Sequence, residues 1–236
     1  MAATKARSRL NSKANGPAVE AVPTAVVVIK PPDIQTVEFT IVGTEPLVTN
    51  KFSEKARQMM RAAQEGGSQS RSKKVREPKN FQACFEAAIH RSKEGWPGIP
   101  AAAFRSAMID ACRLVNFKMT VAKLAIFVTA EGYGSDGTGL IQVHGRPDEP
   151  LYHEAPVRND SGVADIRARP MWMPGWRCNL RVRVDLDQFS LADVTNLLRR
   201  AGQQVGICEG RPNSKNSHGM GWGTFDVVLD TQSGGE

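Results

Sequence analysis

Nine residues in the last third of the chain, CNLRVRVDL at 178–186, alternate without interruption. Leu180, Val182, Val184 and Leu186 fall on one side, Arg181, Arg183 and Asp185 on the other. A period of two over that length is a β-strand with one buried face and one wet face. The residues after this strand narrow the topology. Ser190 opens a helical stretch to about Ala201, with Asp193 three residues on as in a capping box. Val194, Leu197 and Leu198 form its inward side, and Gly202 is expected to end it. A Gly-rich loop then leads into 221–229 (GWGTFDVVL), read as a closing strand. Strand, helix, loop and strand at this spacing make half of a split β-α-β unit, the ferredoxin-like pattern.

The other half is expected from the N-terminal side. Residues 36–42 (TVEFTIV) are β-branched and alternating, and they end at Gly43 and the Glu45-Pro46 turn. Ser53 is placed as the cap of a helix to about Gln64, with Ala56, Met59, Met60 and Ala63 on one face. Residues 65–78 have the composition of a mobile loop. Residues 81–90 read as a short helix with Phe81, Phe85, Ala88 and Ile89 as its apolar side. A Pro-rich turn at 96–100 leads into a helix over 101–114, where Phe104, Ala107, Met108, Ala111 and Val115 recur at three and four residues. Residues 121–129 and 140–143 read as strands and 163–169 as extended, while 145–162 show no period. The expected fold class is α+β: a modified ferredoxin-like core with an inserted helical subdomain and long loops. Residues 33–230 form one domain in this reading, with an insertion at about 52–100 and a long loop at about 131–162. Residues 1–32 read as a flexible basic arm and 231–236 as a disordered tail.

Charge bears on function. The 236 residues carry a net +7, but residues 1–32 hold +4 and residues 51–80 hold +6, leaving −3 for the remainder. Basicity confined to flanking or inserted segments is how nucleic-acid-binding proteins often distribute charge. No stretch approaches 18 uncharged apolar residues, so no membrane partner is expected. The N-terminal stretch has basic residues without an apolar core, which argues against a signal peptide. Cys84, Cys112, Cys178 and Cys208 form no CxxC pair, and they read as reduced thiols of a cytoplasmic protein. His90, His144, His153 and His218 have no metal-ligand spacing, and no cofactor is expected.

Two constellations carry the nucleic-acid reading. Arg167, Arg169, Arg177, Arg181 and Arg183 are interleaved with Trp172 and Trp176, which suits guanidinium-to-phosphate and indole-to-base contacts with a single strand. Arg181 and Arg183 stand out because strand geometry puts them on one face; an apolar clasp over the sheet is the alternative for the tryptophans. The second constellation is the series Gly202, Gly206, Gly210, Gly219, Gly221 and Gly223, rimmed by Arg199, Arg200, Arg211 and Lys215. It matches neither a dinucleotide fingerprint nor a P-loop, and it suits backbone amides brought close to a phosphate. His218 in this loop is a phosphate-binding candidate, with general-base chemistry as its alternative.

Three stretches resemble the RAMP superfamily, the RRM-like proteins of CRISPR effector complexes and their phage relatives. They are residues 37–50 (VEFTIVGTEPLVTN), 98–113 (GIPAAAFRSAMIDACR) and 205–225 (VGICEGRPNSKNSHGMGWGTF), similar respectively to the family's opening strand, its first-helix start and its C-terminal Gly-rich loop. The nearest resemblance is to the backbone subunit that polymerises along guide RNA. It implies an RRM-like core and partners consisting of single-stranded RNA (guide and possibly target), copies of the chain itself and other effector-complex subunits. It also implies that Asn50, Lys51, Arg105 and Arg113 lie near the RNA backbone, that Arg211 lies beside the Gly-rich loop, and that a loop over 131–162 serves as a thumb. The chain departs from the pattern at Cys208-Glu209, where a basic or neutral pair is expected, and its first histidine is His90. The expected function is therefore non-enzymatic RNA binding. An endoribonuclease of the same superfamily, with a loop aspartate (Asp136 or Asp160) or His218 in its site, is the first alternative. A phage or mobile-element assembly protein with acidic partners is the second.

Overall fold

Leu180, Val182 and Val184 are fully buried, while Arg177, Asn179, Arg181 and Arg183 between them are exposed, as a half-buried strand requires. This strand organises the rest. The computed structural model describes residues 29–52, 54–65, 78–158, 164–214 and 220–228. The first elements are β1 (Ile34–Gly43), β2 (Leu47–Val48), α1 (Glu54–Glu65), α2 (Phe81–Ala88), β3 (His90–Arg91), β4 (Pro97–Pro100) and α3 (Ala101–Ala111). Then come α4 (Met119–Ala125), β5 (Ile126–Thr129), β6 (Gly132–Tyr133), β7 (Gly139–Gln142), β8 (Leu151–Arg158) and β9 (Ala164–Trp172). The last are β10 (Arg177–Asp185), α5 (Leu191–Arg200) and β11 (Phe225–Val227).

The described part from Pro32 onward is a mixed α+β unit built on antiparallel sheets. Its main sheet has the order β11-β1-β10-β5. Both β1 and β5 run antiparallel to β10, and β11 runs antiparallel to β1. Helices α3 and α5 pack on each other, α3 reaching β5 and α5 reaching β11. Phe104, Met108, Leu197 and Leu198 from the helices join Ile41, Leu180, Val182 and Phe225 from the strands in one core. Two smaller sheets, β2-β9-β8 and β3-β4-β7-β6, extend from this core.

The expected capping box on α5 is present. Ser190 Oγ accepts from the Asp193 amide at 3.1 Å, and the Asp193 carboxylate accepts from the Ser190 amide at 3.2 Å. Gly202 does not end the helix. A π turn over Ala201–Val205 continues it to Gly206, whose φ of 70° lets the chain reverse. Gly202 serves close packing instead: a Cβ there would lie 2.1 Å from the Phe225 carbonyl oxygen.

Four expectations are corrected. Residues 119–125 are helix α4, with strand only from Ile126; Ala122 and Ala125 supply the buried helical spacing that the Val and Ile residues masked. The expected thumb loop over 131–162 holds β6, β7 and all of β8. The strand expected at 140–143 is present as β7, whereas β6 is only two residues long and β8 (LYHEAPVR) is a polar edge strand without a clear period. The methionines of α1 do not face a core: Met59 and Met60 are exposed. Helix α3 stops at Ala111, and Val115 lies exposed in the short 3₁₀ turn after it. Residues 1–28 of the N-terminal arm, Ser53 as a cap, most of the 65–78 loop, Asp160 and the C-terminal tail lie outside the described residues.

Candidate functional site

Three segments far apart in the chain wall a groove of about 970 Å³. The first wall is one side of α3, through Ala102, Ala103, Ser106 and Asp110. The small alanines keep this wall low. Pro100 occupies the N-cap position, and no side chain caps the first turn. The positive end of the helix therefore opens beside the groove.

The second wall is the β8–β9 hairpin. Cross-strand pairing puts His153 opposite Arg169 and Ala155 opposite Arg167, so these four share one face of the ribbon. The other face is packed: Ala168 is buried with Phe85 and Ile89 of the α2 region, and the Tyr152 ring lies 5.3 Å from Phe85. This packing holds the arginine-bearing face toward the groove.

The third wall is the loop after α5, residues 205–211 together with Ser214, Met220 and Trp222. Backbone bonds fix it. The Ile207 amide donates to the Gly223 carbonyl at 3.0 Å, and the Glu209 amide donates to the Val48 carbonyl at 3.0 Å. Trp222 is half-buried and meets the His153 ring edge-on at 5.7 Å. Asn50 and His90 complete the lining.

Charge in the groove is partly self-neutralised. Arg169 Nε donates to Glu209 Oε2 at 2.7 Å, and Arg167 Nη1 lies 3.5 Å from Glu209 Oε1. Arg211 Nη1 donates to the Cys208 carbonyl at 2.9 Å, and Asn213 Nδ2 donates to Asp110 at 2.9 Å. Burial, and after it the Lys51 charge, push His90 down to about 4 despite the opposing pull of Asp136. The imidazole is thus neutral at physiological pH. The Nε2 of His153 is a buried polar atom with no hydrogen-bond partner among the described residues.

Of the residues singled out from sequence, Asn50, Arg167, Arg169 and Arg211 line the groove. Lys51, next to Asn50, pairs at 3.6 Å with Asp136, which also lies 3.7 Å from Arg57. A hydrogen bond from the Thr138 amide, together with the Lys51 charge, holds the Asp136 carboxyl below its ordinary range. Arg105 donates to the carbonyls of Ile126, at 2.8 Å, and Lys123, and its guanidinium stacks on Phe127. It ties α3 to α4 and β5. Arg113 is exposed and pairs with Asp110 at 3.3 Å. Gly221, with φ of 78°, turns the chain just before Trp222.

Trp172 and Trp176 are corrected from stacking platforms to core. They are 2% and 0% exposed, and their indole N–H groups donate to the carbonyls of Asp148 and Glu45 at 2.8 and 2.9 Å. Arg181 and Arg183 lie on the outer face of the main sheet, opposite the buried Leu180, Val182 and Val184. Arg181 stands opposite Glu38, and Arg183 stacks on Phe127 at 4.8 Å. Lys215, His218 and Gly219 lie outside the described residues. Trp222, His153 and Glu209 were not assigned to a site from sequence. An aromatic residue flanked by glycines at 221 and 223 was the one available signal.

Among the described residues no group of three His, Cys, Asp or Glu side chains is placed to hold a metal ion, and no helix is long and apolar enough to cross a membrane. No protein-family model matches the chain, and no curated protein is detectably similar to it in sequence.

Proposed function

We propose that the chain binds single-stranded nucleic acid, RNA in first place, along the groove between α3, the β8–β9 hairpin and the loop after α5. In this reading it is a non-catalytic, RRM-like backbone subunit that repeats side by side along a guide RNA, next to other subunits of an effector complex. The observation that carries it is convergence. The three stretches that resemble the RAMP superfamily are separated by tens of residues, yet Asn50 from the first, Ala102, Ser106 and Asp110 from the second, and residues 205–211 with Trp222 from the third all meet at one groove. Arg167, Arg169 and Arg211 stand in that groove, and Trp222 offers an aromatic surface of the kind bases stack on. The strand order β11-β1-β10-β5, with α3 and α5 packed together, supports the RRM-like assignment, because two split β-α-β units interleave in this order.

The outer sheet face is the weaker surface for a polyanion. Its exposed arginines alternate with Glu38, Asp185 and Asp226, and the last is paired with Arg199 at 3.1 Å. The test is titration of a labelled single-stranded RNA over a range of salt. Three phosphate contacts correspond to a slope of log K against log salt of about −2. Arg211→Ala is expected to weaken binding and flatten the slope by about 0.7. Binding indifferent to salt would overturn the proposal, and so would a greater loss from Arg181→Ala with Arg183→Ala than from Arg211→Ala. Nucleic acid extracted from protein purified without nuclease would identify the guide by its uniform length.

A further inference from the structure

Glu209 is the residue that departs from the family pattern, and its side chain has a position that the departure alone does not explain. Its carboxylate accepts from Arg169 Nε at 2.7 Å and lies 3.5 Å from Arg167 Nη1. Both guanidiniums come from alternate positions of β9, on the hairpin face that lines the groove. The carboxylate comes from the opposite wall, on a loop whose backbone is pinned to Val48. An acid held between two arginines by its two oxygens has the geometry that a phosphodiester would take up there, since carboxylate and phosphate are both recognised by the planar guanidinium fork. All three side chains are partly solvent-accessible, so the pairs can exchange partners.

We propose that Glu209 is an internal stand-in for a phosphate group, so that a nucleic-acid strand enters this groove by exchange. A backbone phosphate takes over Arg167 and Arg169, and the Glu209 carboxylate is released to water. The inference rests on the groove being the binding site. It has a consequence for selectivity: polyanions that make only one phosphate contact cannot displace the carboxylate efficiently, whereas a strand with consecutive phosphates can.

The experiment is Glu209→Gln, which keeps the shape and the backbone bond to Val48 and removes the charge. The probe is a fluorescein-labelled oligouridylate, titrated at several salt concentrations. Part-exposed ion pairs of this kind shift an equilibrium by up to about fivefold each. Glu209→Gln, which loses two, is therefore expected to bind roughly tenfold more tightly than wild type. Its salt slope is expected to match that of wild type, because the same three phosphate contacts form in both. In a background already carrying Arg167→Gln and Arg169→Gln, Glu209→Gln is expected to give no gain, whereas a long-range effect of one lost negative charge would persist there. A thermal melt confirms that each variant is folded. Unchanged or weaker binding by folded Glu209→Gln, while Arg211→Ala still loses affinity, overturns the exchange and leaves the binding reading standing. A gain that survives loss of both arginines also overturns it. Absence of binding by wild type and Glu209→Gln alike at low salt removes the binding reading itself, and the exchange with it.

Discussion

Replacing Trp176 tests whether the tryptophans of the arginine-rich segment are core or contact surface. The indole is fully buried and lies directly against Gly43, where an added Cβ would fall 1.9 Å from Nε1. Its edge meets the Phe225 ring at 6.3 Å, and its N–H donates to the Glu45 carbonyl at 2.9 Å. Trp176→Phe keeps a ring in the site but leaves that carbonyl unpaired, which costs about 1–3 kcal/mol. Trp176→Ala adds a large cavity, and Trp→Ala in a core costs about 3–5 kcal/mol. In a domain of this size each kcal/mol moves the melting temperature by about 2–4 °C. The Phe variant is therefore expected to melt about 2–12 °C below wild type, and the Ala variant about 6–20 °C below. Circular dichroism melts and urea titrations measure this, and RNA affinity of the folded Phe variant is expected to stay within about twofold. An exposed stacking residue behaves in the opposite way: substitutions there usually change stability by less than about 0.5 kcal/mol. A Trp176→Ala variant as stable as wild type but poor at binding RNA would refute the assignment.

Gly202→Ala is expected to cost about 3 kcal/mol, because the new Cβ meets the Phe225 carbonyl at 2.1 Å and its ring at 2.6 Å. The gain of under about 1 kcal/mol in helix propensity does not offset this, and a melting temperature equal to wild type would show that the close approach is not needed. His90 predicts a pH dependence. Burial, reinforced by Lys51, holds it at about 4 in the folded chain against about 6.5 in the unfolded chain. Between those values the unfolded chain binds a proton that the folded chain does not, so stability falls by about 3 kcal/mol as pH drops across the window. His90→Gln is expected to flatten that part of the stability profile in urea titrations, and a parallel loss in both proteins would refute it.

Much of the central scaffold was legible in the sequence because its signals are local. Period two marked β10, the Ser190–Asp193 pair marked the start of α5, β-branched alternation marked β1, and apolar spacing of three and four marked α3. Elements failed to show where local propensity and tertiary burial pull apart. Residues 121–129 are rich in Val, Ile and Phe, yet their first half is helix. The β8 strand carries Glu154 and Pro156, as an edge allows, and so reads as loop. The methionines of α1 gave an apolar stripe, which a periodicity argument assigns to a core whether or not one is there.

The site divides along the same line. Composition alone placed arginines near tryptophans and glycines near basic residues, but it assigned them by proximity along the chain. Arg181 and Arg183 are only a few residues from Trp176, yet they face away from the groove. Arg211 and Arg169 are far apart in the chain, yet they stand in one groove. Side-chain chemistry and strand periodicity are properties of neighbouring residues, so the kinds of groups available, and the faces on which β10 and α5 present them, are readable along the chain. Which groups meet was decided by the tertiary structure. The β8–β9 hairpin packs one face on α2 and turns Arg167 and Arg169 toward the loop after α5, while the core takes up both indoles for their buried area. Glu209 as the partner of two arginines and Asp136 as the partner of Lys51 are long-range pairings that no local rule predicts.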